Sequence, residues 1–264
     1  MSYCTLAELK RYINISSATS AEDDLLQQML DESAARIDSF CGRKFSALAD
    51  TTRYFDPLEN VQNGTLYFDN DLAYLTSVTD GSGIDITTSV VTQPRNDAPF
   101  YAVKIKDDSG RYWTYATDHE NAITAVGRWA YMFKSTITAL SRDSNVVTAT
   151  VPNEVMLGST ACVVGCADTS FNGTFTVTAA NGATLTWAQT GTNNTDTTAY
   201  LLYTPTDIVK CNRRLAAWLY RQKDTQQGDN DRPILAGDGS VIMPSTLPQD
   251  VTDILKIYQR VVWS

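Results

Sequence analysis

The sequence predicts an α+β fold, in which a helical bundle scaffold carries a small antiparallel sheet and an inserted all-β domain, either a sandwich or a barrel. Three observations predict it. Helical periodicity is strong near both ends of the sequence, period-two patterns fill the middle, and residues 135–203 form a threonine-rich segment without lysine. We therefore expect a scaffold of residues 1–134 plus 204–264, with an inserted β domain at residues 135–203.

Two helices are predicted at the start of the scaffold. Thr5 and Glu8 have the spacing of a capping box, which favours a short helix at residues 6–13. Ser20 and Asp23 repeat this spacing, and apolar residues then recur every three or four positions as far as Gly42. Glycine adopts positive φ at little cost, so Gly42 suits the end of this second helix.

The period shifts toward two between residues 52 and 126, where turn signals such as Asn63-Gly64 and Asp80-Gly81 separate short apolar runs. The pattern predicts a small antiparallel sheet. Its strands are expected at residues 53–55, 66–68, 75–78, 84–91, 102–105, 112–115 and 122–126.

Residues 135–203 contain five or six further β-rich runs in about seventy residues. Asn172-Gly173 and Asn181-Gly182 favour hairpin turns there, because both residue types tolerate positive φ. This density of short strands predicts a small sandwich or barrel.

An amphipathic helix is predicted at residues 207–223, and a short helix follows at about residues 249–258. The apolar stripe of the first helix is expected to contain Ile208, Cys211, Leu215, Trp218 and Leu219. The other faces of the first of these helices are basic. Because the chain as a whole is acidic, we expect these cations to pair with acidic residues of the same or a neighbouring subunit; contact with phosphate is the alternative. Apolar residues 261–263 have no local place to be buried. Together the candidate subunit or portal interface is Lys210, Arg213, Arg214, Arg221, Lys223, Val261, Val262 and Trp263.

Composition and charge exclude several classes of function. A hydrophobic fraction of 43% and a charged fraction of 19% are typical of a globular protein with a core. The net charge of −9 argues against tight nucleic-acid binding, although an acidic surface suits the wall of a channel through which DNA slides. No run approaches the ~20 apolar residues of a membrane-spanning helix. The first residues lack a basic and apolar leader, so we expect synthesis in a cytoplasm.

The residues that could carry chemistry are few. His119 is the single histidine and lies in a polar context, so we expect it at the surface and not in a metal or nucleophile site. The five cysteines are an odd number, which favours reduced thiols. Cys162 and Cys166 lack the second ligand pair of a zinc site and are expected to be buried. We therefore predict no enzymatic activity, no catalytic residues, no cofactor and no metal.

Several motifs carry a resemblance to a known family. They are YCTLAELK at residues 3–10, the helical segment 24–38, CGRKF at residues 41–45, VGRWAY at residues 126–131, LAAWLYRQKD at residues 215–224 and LPQDV at residues 247–251. In these motifs the chain resembles the head–tail connector (adaptor) proteins of tailed bacteriophages. The resemblance covers residues 1–134 and 204–258, whereas residues 135–203 depart from the compact family pattern.

This resemblance implies a structural virion protein of the phage neck, made in the host bacterial cytoplasm. Adaptors of this family form a ring, commonly of twelve subunits, below the portal protein. The ring extends the DNA channel and provides the surface to which a tail, stopper or tail-terminator protein attaches, while genomic DNA passes without specific binding. The alternative is a β-rich phage tail or surface recognition module that binds carbohydrate or another virion protein. Exposed tryptophans would serve that role, but Trp187 is expected in a core.

Overall fold

The computed structural model describes residues 2–222, 234–235, 241–242 and 247–260. The chain divides into two compact units. One, the β unit, is the continuous segment Arg43–Pro205. The other, the helical unit, combines the flanking segments Met1–Gly42 and Thr206–Ser264.

The β unit, all of whose residues are described, contains sixteen strands in four sheets. The strands are β1 (Thr51–Phe55), β2 (Val61–Gln62), β3 (Thr65–Leu72), β4 (Tyr74–Thr79), β5 (Val90–Gln93), β6 (Phe100–Ile105), β7 (Ile123–Arg128), β8 (Phe133–Ile137), β9 (Ala139–Asp143), β10 (Val146–Thr150), β11 (Thr160–Val164), β12 (Gly173–Thr176), β13 (Ala179–Ala180), β14 (Thr184–Ala188), β15 (Asn194–Asp196) and β16 (Ala199–Tyr203). The sheet orders are β1-β7-β4, β2-β3-β6-β5, β13-β14-β10-β9-β15 and β12-β11-β16-β8. Every ladder between these strands is antiparallel.

The predicted fold class is therefore wrong. The chain is a β-rich fold, and a helical bundle is not its scaffold. The apolar runs between residues 51 and 128 were expected to make one small sheet beside the helices, but they make two sheets with a hydrophobic core of their own. Strand pairing joins residues distant in sequence, so local periodicity shows that strands exist without showing how large an assembly they build.

The first half of the β unit buries a core between the sheets β1-β7-β4 and β2-β3-β6-β5. Phe55, Phe68 and Trp129 meet there, with ring centroids 4.9–5.9 Å apart. At Gly127 in β7, a Cβ atom would lie 2.3 Å from the carbonyl oxygen of Tyr74. Only glycine therefore allows β7 to approach β4 so closely.

The second half buries a core between the other two sheets. In β9 and β10 buried and exposed residues alternate strictly, as a sheet with one solvated face requires. Trp187 and Phe171 are fully buried, and Phe175 stacks on Trp187 at a centroid distance of 5.3 Å. Trp187 thus belongs to the core, as the sequence predicts.

A third cluster joins the two halves. Cys162, Val164 and Leu202 from the second half pack with Ala73, Ala130 and Met132. The predicted boundary at residues 134/135 falls inside β8, and the boundary at 203/204 falls at the end of β16. The division into a scaffold and an inserted domain at these boundaries stays a prediction.

Two predicted strands are wrong in detail. Residues 112–115 belong to a loop, in which Tyr115 makes only an isolated bridge to Gly81. The Trp113 indole fixes this loop by donating a hydrogen bond to the Gly64 carbonyl oxygen at 3.0 Å. Of residues 84–91, only Val90 and Val91 lie in a strand, β5, and a 3-10 turn precedes it.

The helical unit contains α1 (Leu6–Tyr12), α2 (Asp23–Cys41), α3 (Thr206–Gln222) and α4 (Gln249–Ile257) among its described residues, with a short ladder between β17 (Ile234–Leu235) and β18 (Val241–Ile242). The capping box of Thr5 and Glu8 is confirmed. The second box is wrong, because α2 begins after Glu22 without a side-chain cap. Gly42 ends α2 at φ 65°, as predicted.

The helices of this unit pack around α3, which contacts α1, α2 and α4. Their buried apolar residues include Leu9, Leu26, Leu30, Ile37, Ile208, Leu215, Leu219, Val251 and Leu255. Trp218, which the sequence places on the apolar stripe of α3, is only partly buried. Within the described residues, no helix combines the length and the apolar character needed to cross a membrane.

Candidate interface on the helical unit

Four of the eight predicted interface residues lie on α3: Lys210, Arg213, Arg214 and Arg221. The other four, Lys223, Val261, Val262 and Trp263, lie outside the described residues. The α3 residues differ in their surroundings.

Arg213 lies over an aromatic ring. Its guanidinium carbon is 4.9 Å from the ring centroid of Tyr12, the last residue of α1. Tyr12 is 42% exposed, so both groups are accessible to a partner. A cation over an aromatic face is attracted by the ring quadrupole, which holds the arginine in one orientation.

Arg214, the next residue, bonds to α4. Its Nε donates a hydrogen bond of 2.9 Å to Oδ2 of Asp250. This bond raises the pKa of Arg214 and lowers the pKa of Asp250, and the Tyr12 side chain raises the pKa of Arg214 further. Both partners are 41% or more exposed, so the pair itself contributes at most about 1 kcal/mol to stability. We call Tyr12, Arg213, Arg214 and Asp250 the arginine patch.

The remaining two cations of α3 are not members of this patch, although Lys210 stands one turn before Arg214 on the same face of the helix. Lys210 pairs with Asp207 one turn earlier at 3.4 Å, and both side chains are about half exposed. Arg221 is exposed near the end of the helix. The structure thus joins Arg213 and Arg214 into one group and leaves Lys210 and Arg221 outside it. We expected these cations to pair with acidic residues of the same or a neighbouring subunit. Lys210 and Arg214 each pair with an aspartate of the same subunit.

A buried amide on the opposite face of α3 holds the helix in place. Asn212 is fully buried, and its Oδ1 accepts hydrogen bonds of 2.9 Å from the backbone N–H groups of Tyr3 and Cys4. Its Nδ2 donates to the carbonyl oxygen of Leu30 and to Oγ of Ser33 on α2. One side chain therefore ties the first residues and α2 to α3, directly behind the arginine patch.

Sequence reasoning missed Asn212, Tyr12 and Asp250. For Asn212 a signal exists, because positions 208, 212, 215 and 219 follow the spacing of the apolar stripe and an asparagine at such a position must bond inside the core. Tyr12 and Asp250 are joined to α3 only by tertiary contacts, for which the sequence has no local pattern.

An exposed apolar residue ends α4. Ile257 is 79% exposed, the highest value among the exposed large hydrophobic residues of the described chain. It stands four residues before Val261, the first residue of the predicted apolar segment.

The single histidine forms an ion pair in the β unit. His119 Nδ1 lies 2.7 Å from Oδ2 of Asp56, and its side chain is 40% exposed. The hydrogen bond to Asp56 raises the pKa of His119 above its ordinary value, with Asp118 and Glu120 acting in the same direction. Desolvation raises the pKa of Asp56, but hydrogen bonds from the Leu58 N–H and from His119 lower it, and the net effect is a lowered pKa.

None of the five cysteines forms a disulfide, and all five are buried, including Cys162 and Cys166 as predicted. Burial raises the pKa of Cys166 and of Cys211 to about 12. In the part of the chain that the structure describes, no group of three or more His, Cys, Asp or Glu side chains is placed to hold a metal ion.

No protein-family model matches the chain, and no curated protein matches it.

Proposed function

We propose that this chain is a structural virion protein, a head-to-tail adaptor that forms a ring below the portal of a tailed bacteriophage. The ring extends the DNA channel and provides the attachment surface for the tail or for a stopper or tail-terminator protein. The single observation that carries this proposal is the arginine patch, a preformed interface feature on a helical unit whose motifs resemble the adaptor family.

The chemistry of the patch suits a protein–protein contact. Arginine and tyrosine are enriched among the residues that contribute most to binding. Tyr12 orients the Arg213 guanidinium and Asp250 orients that of Arg214. Binding a partner therefore costs less side-chain entropy than it would for free arginines.

Each subunit of a closed ring contacts two neighbours through two different surfaces. The arginine patch is one such surface, and an acidic surface of the neighbour is its complement, since the chain carries a net charge of −9. Twelve copies would give a total charge of roughly −100, so a lumen lined with carboxylates would repel DNA and let it slide without specific binding.

The apolar residues after α4 supply the contact to the portal or to a neighbouring subunit. The exposed Ile257 side chain and the sequence Val261-Val262-Trp263 together offer apolar groups that a partner can bury. A tryptophan fully buried in this way is a typical anchor of an interface.

Assembly with the portal tests the proposal. The purified chain is mixed with portal rings, and the products are examined by light scattering after size exclusion and by negative-stain imaging. We expect rings below the portal from the unaltered chain. The double variant R213E/R214E should lose them, whereas R36E/R111E, which makes the same change of charge at two exposed arginines elsewhere, should retain them. A chain that stays monomeric and ignores the portal would contradict the proposal.

The second candidate is the β-rich recognition module that binds carbohydrate or another virion protein. Exposed tyrosines of the β unit favour it: Tyr54, Tyr101 and Tyr112 are 60%, 55% and 74% exposed. Aromatic faces stack on sugar rings, but Trp187 is buried and takes no part. A glycan-binding screen separates the candidates, because a monomer that binds glycans through these tyrosines and does not bind the portal would favour the second.

A further inference from the structure

The sheet β2-β3-β6-β5 ends at β5, and an open groove of about 490 Å³ lies beside this strand. Val91 and Gln93 of β5 line the groove together with Ile105 of β6. Three cations also line it, namely Arg95, Lys104 and Lys106. Asp107 and Asp108 line it as well, so the formal charge of the lining is about +1, in a chain whose net charge is −9.

The backbone of β5 is available for pairing along one side. Val90–Gln93 pair with β6 in the register Val91↔Lys104, and within the described residues no strand pairs with the other side of β5. Such an edge presents N–H and C=O groups that an extended segment can bond.

Lys104 and Lys106 belong to β6 and the residue after it, one strand in from this edge, so their side chains must extend across β5 to meet an added strand. Lys106 spans from the end of β6 to the start of β5, where its Nζ donates a 2.6 Å hydrogen bond to the Thr88 carbonyl oxygen. Lys104 stands beside Val91 on the groove face, and its Nζ is 3.5 Å from a carboxylate oxygen of Asp107, which is 92% exposed. An ion pair as exposed as Lys104–Asp107 is weak. A carboxylate of a ligand in the groove can therefore replace Asp107 as the partner of Lys104.

The charge pattern favours an extended ligand over a small anion. Asp107 and Asp108 also line the groove, so a phosphate ion would meet two carboxylates beside the three cations. A strand, in contrast, places its charges at intervals along β5. Alternate side chains would point toward Lys104 and Lys106, while those between them would lie beside Val90 and Thr92 on the other face of the sheet.

We propose that the free edge of β5 docks an extended acidic segment of a partner protein as an added strand, in which acidic residues alternate with apolar ones. The backbone of β5 supplies the pairing, and Arg95, Lys104 and Lys106 supply the selection for acidic side chains. The inference does not depend on the adaptor function.

Fluorescence anisotropy with a labelled seven-residue peptide of alternating Val and Glu tests this docking. We expect the unaltered chain to bind it and not the matching Val–Lys peptide. The variant K104E/K106E should bind at least about tenfold more weakly, since two attractive pairs become repulsive. R36E/K256E carries the same change of charge on exposed helical positions and should bind within about twofold of the unaltered chain. R95E gives a single-site check if the double variant does not fold.

Backbone pairing is tested with two N-methylated forms of the Val–Glu peptide, one methylated at the Val and one at the Glu residues. At least one form should lose binding, because methylation removes the N–H groups that face β5. Undiminished binding by both forms, equal weakening in R36E/K256E, or no binding of the parent peptide would overturn the inference. So would light scattering that shows a dimer of this chain which the peptide does not dissociate, since a second copy would then occupy the edge.

Discussion

Replacement of Asn212 by alanine should destabilise the helical unit by about 3–5 kcal/mol. The side chain is fully buried and makes hydrogen bonds to Tyr3, Cys4, Leu30 and Ser33. Each bond contributes about 1 kcal/mol net, and the truncation also leaves two backbone N–H groups without their acceptor. The loss should therefore exceed that of a typical buried substitution.

Native-state hydrogen exchange followed by mass spectrometry suits this measurement, because it reports the two units of the chain separately. In N212A, amides of α2 and α3 should lose protection about 100-fold or more, while strands of the β unit keep theirs. S33A removes one partner and should cost about 1 kcal/mol. Q28A, on the exposed face of α2, is the control and should change stability by less than about 0.5 kcal/mol. A loss of less than tenfold in N212A, or an equal loss in both units, would refute the reasoning.

Three further predictions concern the β unit and the thiols. The pKa of His119 in the folded chain lies above its ordinary 6.5, so the stability from its pair with Asp56 is fully present below about pH 6.5 and is lost as pH rises through the folded pKa. The pKa of Asp56 is lowered, so its contribution to stability is fully present above pH 3.8 and is lost as pH falls through its folded pKa. The single imidazole signal in an NMR titration should show this, and D56N should return the pKa toward 6.5; an unchanged pKa would contradict the pairing. A thiol reagent at pH 8 should leave the buried cysteines of the folded chain unreacted, since burial raises the pKa of Cys211 to about 12. After denaturation the reagent should react with all five cysteines. Rapid reaction of the native chain would show that the thiols are accessible. Trp187→Ala should destabilise the β unit by about 3–5 kcal/mol and abolish the near-ultraviolet signal of its stack with Phe175, and a thermal melt without loss would contradict the packing.

The helices were the part of the fold that could be predicted from the sequence. The capping box of Thr5 and the positive φ at Gly42 are local devices, and the bounds of α1 and α3 agree with the expected ranges within a residue or two in the described chain. The exception is Ser20, whose side chain does not cap α2. Its spacing fitted the motif, but the backbone turns into the helix only after Glu22.

The sheets could be predicted only strand by strand. Runs of alternating residues such as those of β10 and β14 identify strands, but their pairing with β9 and β13 depends on contacts that the pattern does not contain. The error in fold class follows from this, because the two cores of the β unit exist only once the sheets are assembled. Residues 112–115 show the opposite error, since an aromatic-rich run can be fixed by one indole hydrogen bond without joining a sheet.

The candidate interface could be predicted only in part, because it too depends on contacts between elements that are distant in sequence. The basic faces of α3 follow from helical spacing, so Arg213 and Arg214 could be named. That these two are held by Tyr12 and Asp250, while Lys210 pairs only within its own turn, depends on the packing of three helices.

The discontinuous helical unit sets the order in which the chain can fold during synthesis. Helices α1 and α2 leave the ribosome before the β unit, yet their partner α3 begins at Thr206, after the whole β unit. At translation rates of about 5–20 residues per second, the two helices wait roughly 10–30 s with their apolar faces uncovered. During that interval the uncovered apolar faces of α1 and α2 are a target for a chaperone. A nascent chain stalled before Asn212 would expose these faces for as long as the stall lasts.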